Sequence, residues 1–138
     1  MLIAAAGIII QRENGEILIL HRKEDVLEGN KWGIPGGKTT VGEKTVETAI
    51  RKTTAETGLA FDEPDLIPVG EFHYQSGDND IDFTVYLAKV TNPQLANLKL
   101  NRDGHTQYDW VNPNELVKKD NLMVGMYPIL NKFNQTFR

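Results

Sequence analysis

The chain contains no cysteine. Disulfides and thiolate metal sites are therefore excluded, and the redox compartment is left open. It shows no basic excess, with 15 Lys and Arg against 19 Asp and Glu and a formal net charge of −4. That balance argues against a general nucleic-acid binder, which carries a basic surface. It leaves room for a small anionic ligand held by a few local cations. Long hydrophobic runs are missing too. The most apolar stretch, MLIAAAGIII, is half the length of a membrane span and lacks a basic flank. It reads as a buried strand. No internal repeat, low-complexity tract or targeting signal is visible, so the expected location is the cytoplasm, with no membrane partner.

What is present is ordinary for a globular protein. The 138 residues are 40% hydrophobic and 25% charged, enough for one domain over 1–138 with a proper core. Leu2 to Gln11 and Glu16 to Arg22 are β-rich runs, and Asn14-Gly15 between them is a hairpin signal. Val69 to Tyr74 and Ile81 to Val90 read as two further strands, with Gln75 to Asp80 as a polar loop. Phe83, Val85 and Leu87 alternate with Asp82, Thr84 and Tyr86, the period of a half-buried strand. His105 to Val111 is a late strand. Asn112 is an N-cap with Pro113 at the first helical position, and Asn121 to Phe137 reads as a final helix that Pro128 must kink or interrupt. Lys118, Lys119, Lys132 and Arg138 are read as solvated charges. Asp78, Asp80 and Asp82 have calcium-loop spacing but lack the glycine and distal glutamate of an EF-hand, so a solvated turn is expected.

The most ordered stretch is Gly36 to Leu59, GGKTTVGEKTVETAIRKTTAETGL. A glycine pair opens a loop, and a helix begins near Glu43 and stops at Gly58, a natural left-handed terminus. Val46, Ala49, Ile50 and Thr53 form the expected buried stripe. Glu43, Glu47 and Arg51 lie on a second stripe, and Lys52, Ala55 and Glu56 on the opposite arc.

The order of residues in this stretch resembles the signature of the Nudix hydrolases. Five residues separate Gly37 from Glu43, seven separate Glu43 from Arg51, and Glu56, Gly58 and Leu59 stand in register. The stretch departs from the family at Lys52 and Ala55, where glutamates are expected, and Thr53 occupies an apolar position. The lead-in Trp32-Gly33-Ile34-Pro35-Gly36-Gly37 also resembles the family. The resemblance, over about residues 2–130, implies a mixed β-sheet sandwiched between helices, the α/β (α+β) Nudix fold. It also implies hydrolysis of a phosphoanhydride bond in a nucleoside diphosphate derivative, assisted by Mg²⁺ or Mn²⁺.

Carried onto this chain, the resemblance gives Glu56, Glu43 and Arg51 as candidate catalytic residues, the latter two more as a brace for the loop and helix than as chemical groups. Glu56 and the backbone of Gly37 are the candidate metal ligands. Arg22, Gly36, Gly37 and Lys52 are the candidate contacts to substrate. Arg22 is equally readable as a polar strand end, and His21 as structural. Trp32 is a packing anchor or a stacking platform. Phe72 and Tyr74 pack in the core or line a base pocket. Gln107 aligns with a family glutamate and cannot act as an anionic ligand or base. One carboxylate facing the Lys52 ammonium is a poor magnesium site, with Asp80 or Asp82 as replacement carboxylates. Two readings follow: a hydrolase with depleted metal ligands, or an impaired domain that senses a nucleotide or nucleotide sugar. Homodimers are frequent in the family.

Overall fold

The structure is a computed structural model and describes residues 1–137. Arg138 lies outside the described residues. The long strand β1 (Leu2–Gln11) is central because LIAAAGIII is apolar on both faces, as a strand covered on both sides must be. It runs parallel to β6 (Asn79–Lys89) from Leu2 beside Asp80 to Gln11 beside Lys89. Its other edge is shared. Gln11 pairs with Ile17 at the start of β2 (Ile17–Arg22), and Ala5 to Gly7 pair with β4 (Gly36–Lys38). β5 (Ile67–Ser76) closes one edge against β6. On the other side β2 pairs with β3 (Trp32–Gly33) and with β7 (His105–Val111).

Helices cover both faces. α1 (Thr45–Thr57) lies on one, where Ala49 joins Ala6, Ile8, Ile10, Leu18 and Leu20. α2 (Pro113–Leu116) and α3 (Met126–Thr136) cover the other, where Leu116, Ile129, Leu130 and Phe133 pack on Ile9, Ile17 and Ile19. The mixed sheet between helices is the architecture that the resemblance implies. No described helix is long and apolar enough to cross a membrane.

Several elements follow local chemistry. Gly15 has φ 92 in the hairpin, with Arg12 N–H bonded to Glu16 O at 3.0 Å. Gly58 has φ 75, and its N–H closes the last turn of α1 on Thr54 O at 2.8 Å. Asn112 caps α2 by accepting from Asn114 N–H at 2.9 Å.

Other expectations are corrected. α1 begins at Thr45 rather than Glu43, and Glu47 caps it by accepting Lys44 N–H at 2.8 Å. Its buried residues are Thr48, Ala49, Thr53 and Thr57, while Val46 and Ile50 are half-buried. Lys52 and Glu56, on the arc opposite that stripe, are half-buried against β4. The β5–β6 loop is a tight turn, with Ser76 paired to Asn79. The final helix begins at Met126, not Asn121. Residues 121–125 instead run beside β3, with Trp32 N–H bonded to Asn121 O at 2.8 Å and Met123 N–H to Trp32 O at 2.9 Å. Pro128 consequently falls in the first turn of α3, where its missing N–H breaks nothing.

Candidate functional site

Two adjoining corners are built where α1 packs on β4. The first is a brace. Glu43 accepts Arg51 Nε at 2.7 Å and Nη2 at 2.9 Å, Thr48 Oγ1 at 2.7 Å and Thr40 N–H at 3.1 Å. Arg51 Nη2 also donates to Lys38 O at 3.1 Å, tying the helix to β4. These donors, Arg51 first, hold the Glu43 carboxyl far below the usual carboxylate range. Glu43 and Arg51 thus spend their bonding capacity on structure, as a forked ion pair.

The second corner holds Glu56, Lys52, Gly36 and Gly37. Glu56 Oε1 accepts Gly36 N–H at 2.8 Å. Burial pushes this carboxyl up to about 7, against the opposing pull of the Gly36 N–H, Lys52 and Arg22. A Cβ on Gly37 would lie 2.3 Å from Lys52 Cε, so the absence of a side chain there lets the lysine stem cross the strand. A Cβ on Gly36 would lie 2.5 Å from Ala6 O, so glycine is also required for β4 to approach β1.

Arg22 reaches the same place from the end of β2, its Nε donating to Leu27 O at 2.8 Å. His105 stands opposite Arg22 in the β2–β7 register and carries no sequence signal beyond starting a strand. It is 7% exposed, and burial lowers its pKa to about 4, with the positive charges of Arg22 and Lys52 and then His21 pushing the same way. It is therefore neutral at pH 7. The shared influence of Arg22 and Lys52 on both Glu56 and His105 marks the four as one electrostatic cluster.

A cavity of about 140 Å³ opens beside this cluster and includes Gly36, Gly37, Arg22 and His105 in its wall. Its lining is otherwise mostly apolar, with Leu20, Phe83, Met123 and Met126, and carries four further polar side chains, Glu28, Lys38, Tyr74 and Ser76. Tyr74 is thus at the cavity, whereas Phe72 is in the core. Glu28 sits in a stretch that reads only as a polar loop, and no local signal marks it. Trp32 is a packing residue, edge-on to His21 at 4.9 Å with Lys119 Nζ 5.0 Å from its ring centre. His21 bonds Thr106 Oγ1 at 2.8 Å, a structural role.

The acidic positions are dispersed. Gln107 is exposed on β7 opposite His21. Asp80 accepts Gln75 Nε2 at 3.1 Å, and Asp82 pairs with His73, both on the β5–β6 hairpin and outside the cavity wall. Ala55 is exposed. A divalent cation such as magnesium needs several hard oxygen ligands. Among the described residues no group of three or more His, Cys, Asp or Glu side chains is placed to hold a metal. The one carboxylate at the glycine loop is bonded to Gly36 N–H and faces two cations. The residues present do not fit a divalent cation site.

Comparisons with known proteins agree with this geometry. The NUDIX domain pattern matches residues 1–133. Nucleoside diphosphate-linked moiety X motif 6 of Xenopus laevis is 28% identical over 75 residues, covering 54% of this chain and 34% of that protein. The 8-oxo-dGTP diphosphatase of Escherichia coli is 39% identical over 51 residues, covering 37% of this chain and 40% of that protein. The chain therefore matches less than half the length of these curated relatives. The crystal structure of the MutT protein from Methanosarcina mazei Go1 superposes with a TM-score of 0.85 at 24% identity, over 97% of this chain and 94% of that one. With the sheet, the flanking helices, the glycine loop and the Glu43–Arg51 brace all in place, the chain belongs to the Nudix family.

Proposed function

We propose that this chain binds a nucleoside diphosphate derivative and is impaired in hydrolysing it, acting as a nucleotide or nucleotide-sugar sensor. The observation that carries the reading is the placement of Lys52 across Gly37, beside Glu56, the carboxylate that bonds the glycine loop. Lys52 supplies positive charge at the strand where the family resemblance puts metal and phosphate. Arg22 adds a second cation, and both act on Glu56. A diphosphate bound there is neutralised by side chains rather than by magnesium. Phosphoanhydride cleavage without a cation lacks the group that neutralises the phosphates and orients water. The bound molecule is then held, not cut.

A second reading, a magnesium- or manganese-dependent hydrolase with few ligands, draws support from the intact Glu43–Arg51–Lys38 brace, which keeps the loop and helix in their family arrangement. One experiment separates the two. ADP-ribose, a dinucleoside polyphosphate and a nucleoside triphosphate are incubated with the protein and either cation, and products are followed by chromatography. Thermal shift is run in parallel without metal. The sensor reading expects a metal-independent rise in Tm with at least one compound, reduced in Lys52→Ala, and no turnover above that of Glu56→Gln. Cation-dependent turnover that disappears in Glu56→Gln overturns it in favour of the hydrolase.

A further inference from the structure

The end of α1 is anchored by a segment, residues 99–104, that belongs neither to the brace nor to the cavity wall. An α-helix leaves its last four carbonyls without partners inside the helix. In α1 all four are taken. Thr54 O accepts Gly58 N–H at 2.8 Å, and Thr57 O accepts Lys99 N–H at 2.8 Å. Glu56 O accepts Asn101 N–H at 2.9 Å, and Ala55 O accepts Asn101 Nδ2 at 3.3 Å. The segment also lies close on the helix end: a Cβ on Gly58 would lie 3.4 Å from Lys99 N.

The Asn101 side chain reaches in two directions. Its amide nitrogen donates to Ala55 O, and its amide oxygen accepts Asp103 N–H at 2.9 Å. The second bond closes a turn of the kind that asparagine favours. The next residue, Gly104, accepts Lys23 N–H on its carbonyl at 3.0 Å, and His105 pairs with Arg22 across β2 and β7. One side chain thus joins the end of the helix that carries Lys52 and Glu56 to the turn that grips β2 at Arg22. The brace makes a different connection, because Glu43 and Arg51 tie α1 to Lys38 of β4.

We propose that Asn101 is a positioning residue for the diphosphate corner. Lys52 and Arg22 start from different elements, α1 and β2. A diphosphate held by both binds more tightly when their spacing is set beforehand, since ordering side chains and loops on binding weakens affinity. The Asn101 amide sets that spacing from behind: it fixes the backbone of the α1 end against the turn that grips β2, and it acts on the anion through Lys52. The inference rests on the proposed nucleotide-binding reading, because it concerns the same two cations.

The test is metal-free calorimetry with inorganic pyrophosphate on the wild type, Asn101→Ser, Lys52→Ala and the double variant. Serine keeps an oxygen for Asp103 N–H but is too short to reach Ala55 O. Asn101→Ser is expected to weaken pyrophosphate binding by about three-fold or more, the scale of one hydrogen bond. In the Lys52→Ala background the same change is expected to weaken it by less than about 1.5-fold, because residues acting on one path are not additive. An asparagine that only supports the fold lowers Tm with affinity unchanged, or weakens binding by the same factor in both backgrounds. Either result overturns the inference and leaves the proposed function standing. If Asn101→Ser does not fold, or Lys52→Ala binds too weakly to measure, amide exchange in the wild type decides. Coupling is reciprocal, so pyrophosphate is expected to slow exchange of Asn101 N–H by about three-fold or more. Unchanged exchange there overturns the inference. No binding of pyrophosphate to the wild type overturns both this inference and the diphosphate-holding reading.

Discussion

The two corners at α1 are neighbours on one helix and have opposite characters. At the Glu43–Arg51 corner every charge has a partner: the guanidinium is forked onto the carboxylate and reaches Lys38 O, and threonines fill the remaining acceptor sites. At the Glu56 corner a buried carboxyl is raised rather than lowered, and it faces cations where the family resemblance implies further glutamates. The brace of the motif is complete, and Lys52 and Ala55 stand where the family resemblance implies glutamates. A loop-and-helix geometry depends on a few hydrogen bonds that remain, whereas a divalent site depends on several anionic oxygens together. On the proposed reading, Lys52 and Ala55 in place of two glutamates remove the second while leaving the first intact.

The largest effect sharpening this contrast is expected at Glu56. Its folded pKa is raised, so the folded state holds the proton more tightly than the unfolded chain does. Stability from this group is fully present below the ordinary carboxylate range and is lost as pH rises from about 4.5 to about 7. The loss amounts to about 3 kcal/mol for a mostly buried group. Urea unfolding of the wild type is expected to show this decline, and Glu56→Gln to lack it. A flat wild-type profile would break the contrast between the corners.

Glu43 has the reverse sign. Its folded pKa is depressed, so its contribution is present above the ordinary carboxylate range and lost as pH falls below about 5. The wild type is expected to lose Tm on acidification more steeply than Glu43→Gln. The effect is smaller than at Glu56, because Arg51 is 44% exposed and its pairing is screened by water and salt. Equal acid profiles for the two proteins would show that the brace contributes nothing to stability.

The smallest expected change lies between the corners. Thr53 is fully buried, stands at the family's apolar position, and its Oγ1 has no hydrogen-bond partner among the described residues. Thr53→Val removes that unsatisfied hydroxyl without changing shape and is expected to stabilise the protein by about 1 kcal/mol in urea unfolding. Destabilisation instead would mean that the hydroxyl has a partner.

Much of the framework is legible in the sequence because its signals are local. Leu2–Gln11 and His105–Val111 are strands with the bounds that their apolar and β-branched content suggests. Gly58 and Asn112 terminate and start helices by chemistry carried in one or two residues. The misreadings arise where a distant partner decides. Residues 121–125 follow a helical pattern, yet Trp32 takes their backbone hydrogen bonds. Thr48 and Thr57 are buried although threonine is nearly neutral in any hydropathy pattern. Within the site, the family resemblance brings Gly36, Gly37, Lys52 and Glu56 together. It cannot locate Glu28 and His105, which reach the adjoining cavity from a loop and from β7, while Tyr74 is legible only as a core or base-pocket residue.

The most direct test of the account is restoration. Magnesium-dependent product formation from the nucleoside diphosphate panel is measured for the wild type and for the double variant Lys52→Glu/Ala55→Glu, both at pH 8. The account predicts negligible wild-type turnover and an increase of about ten-fold or more in the double variant, because two returned carboxylates complete an oxygen site at the intact brace. Magnesium-dependent turnover in the wild type that the double variant does not exceed would contradict it.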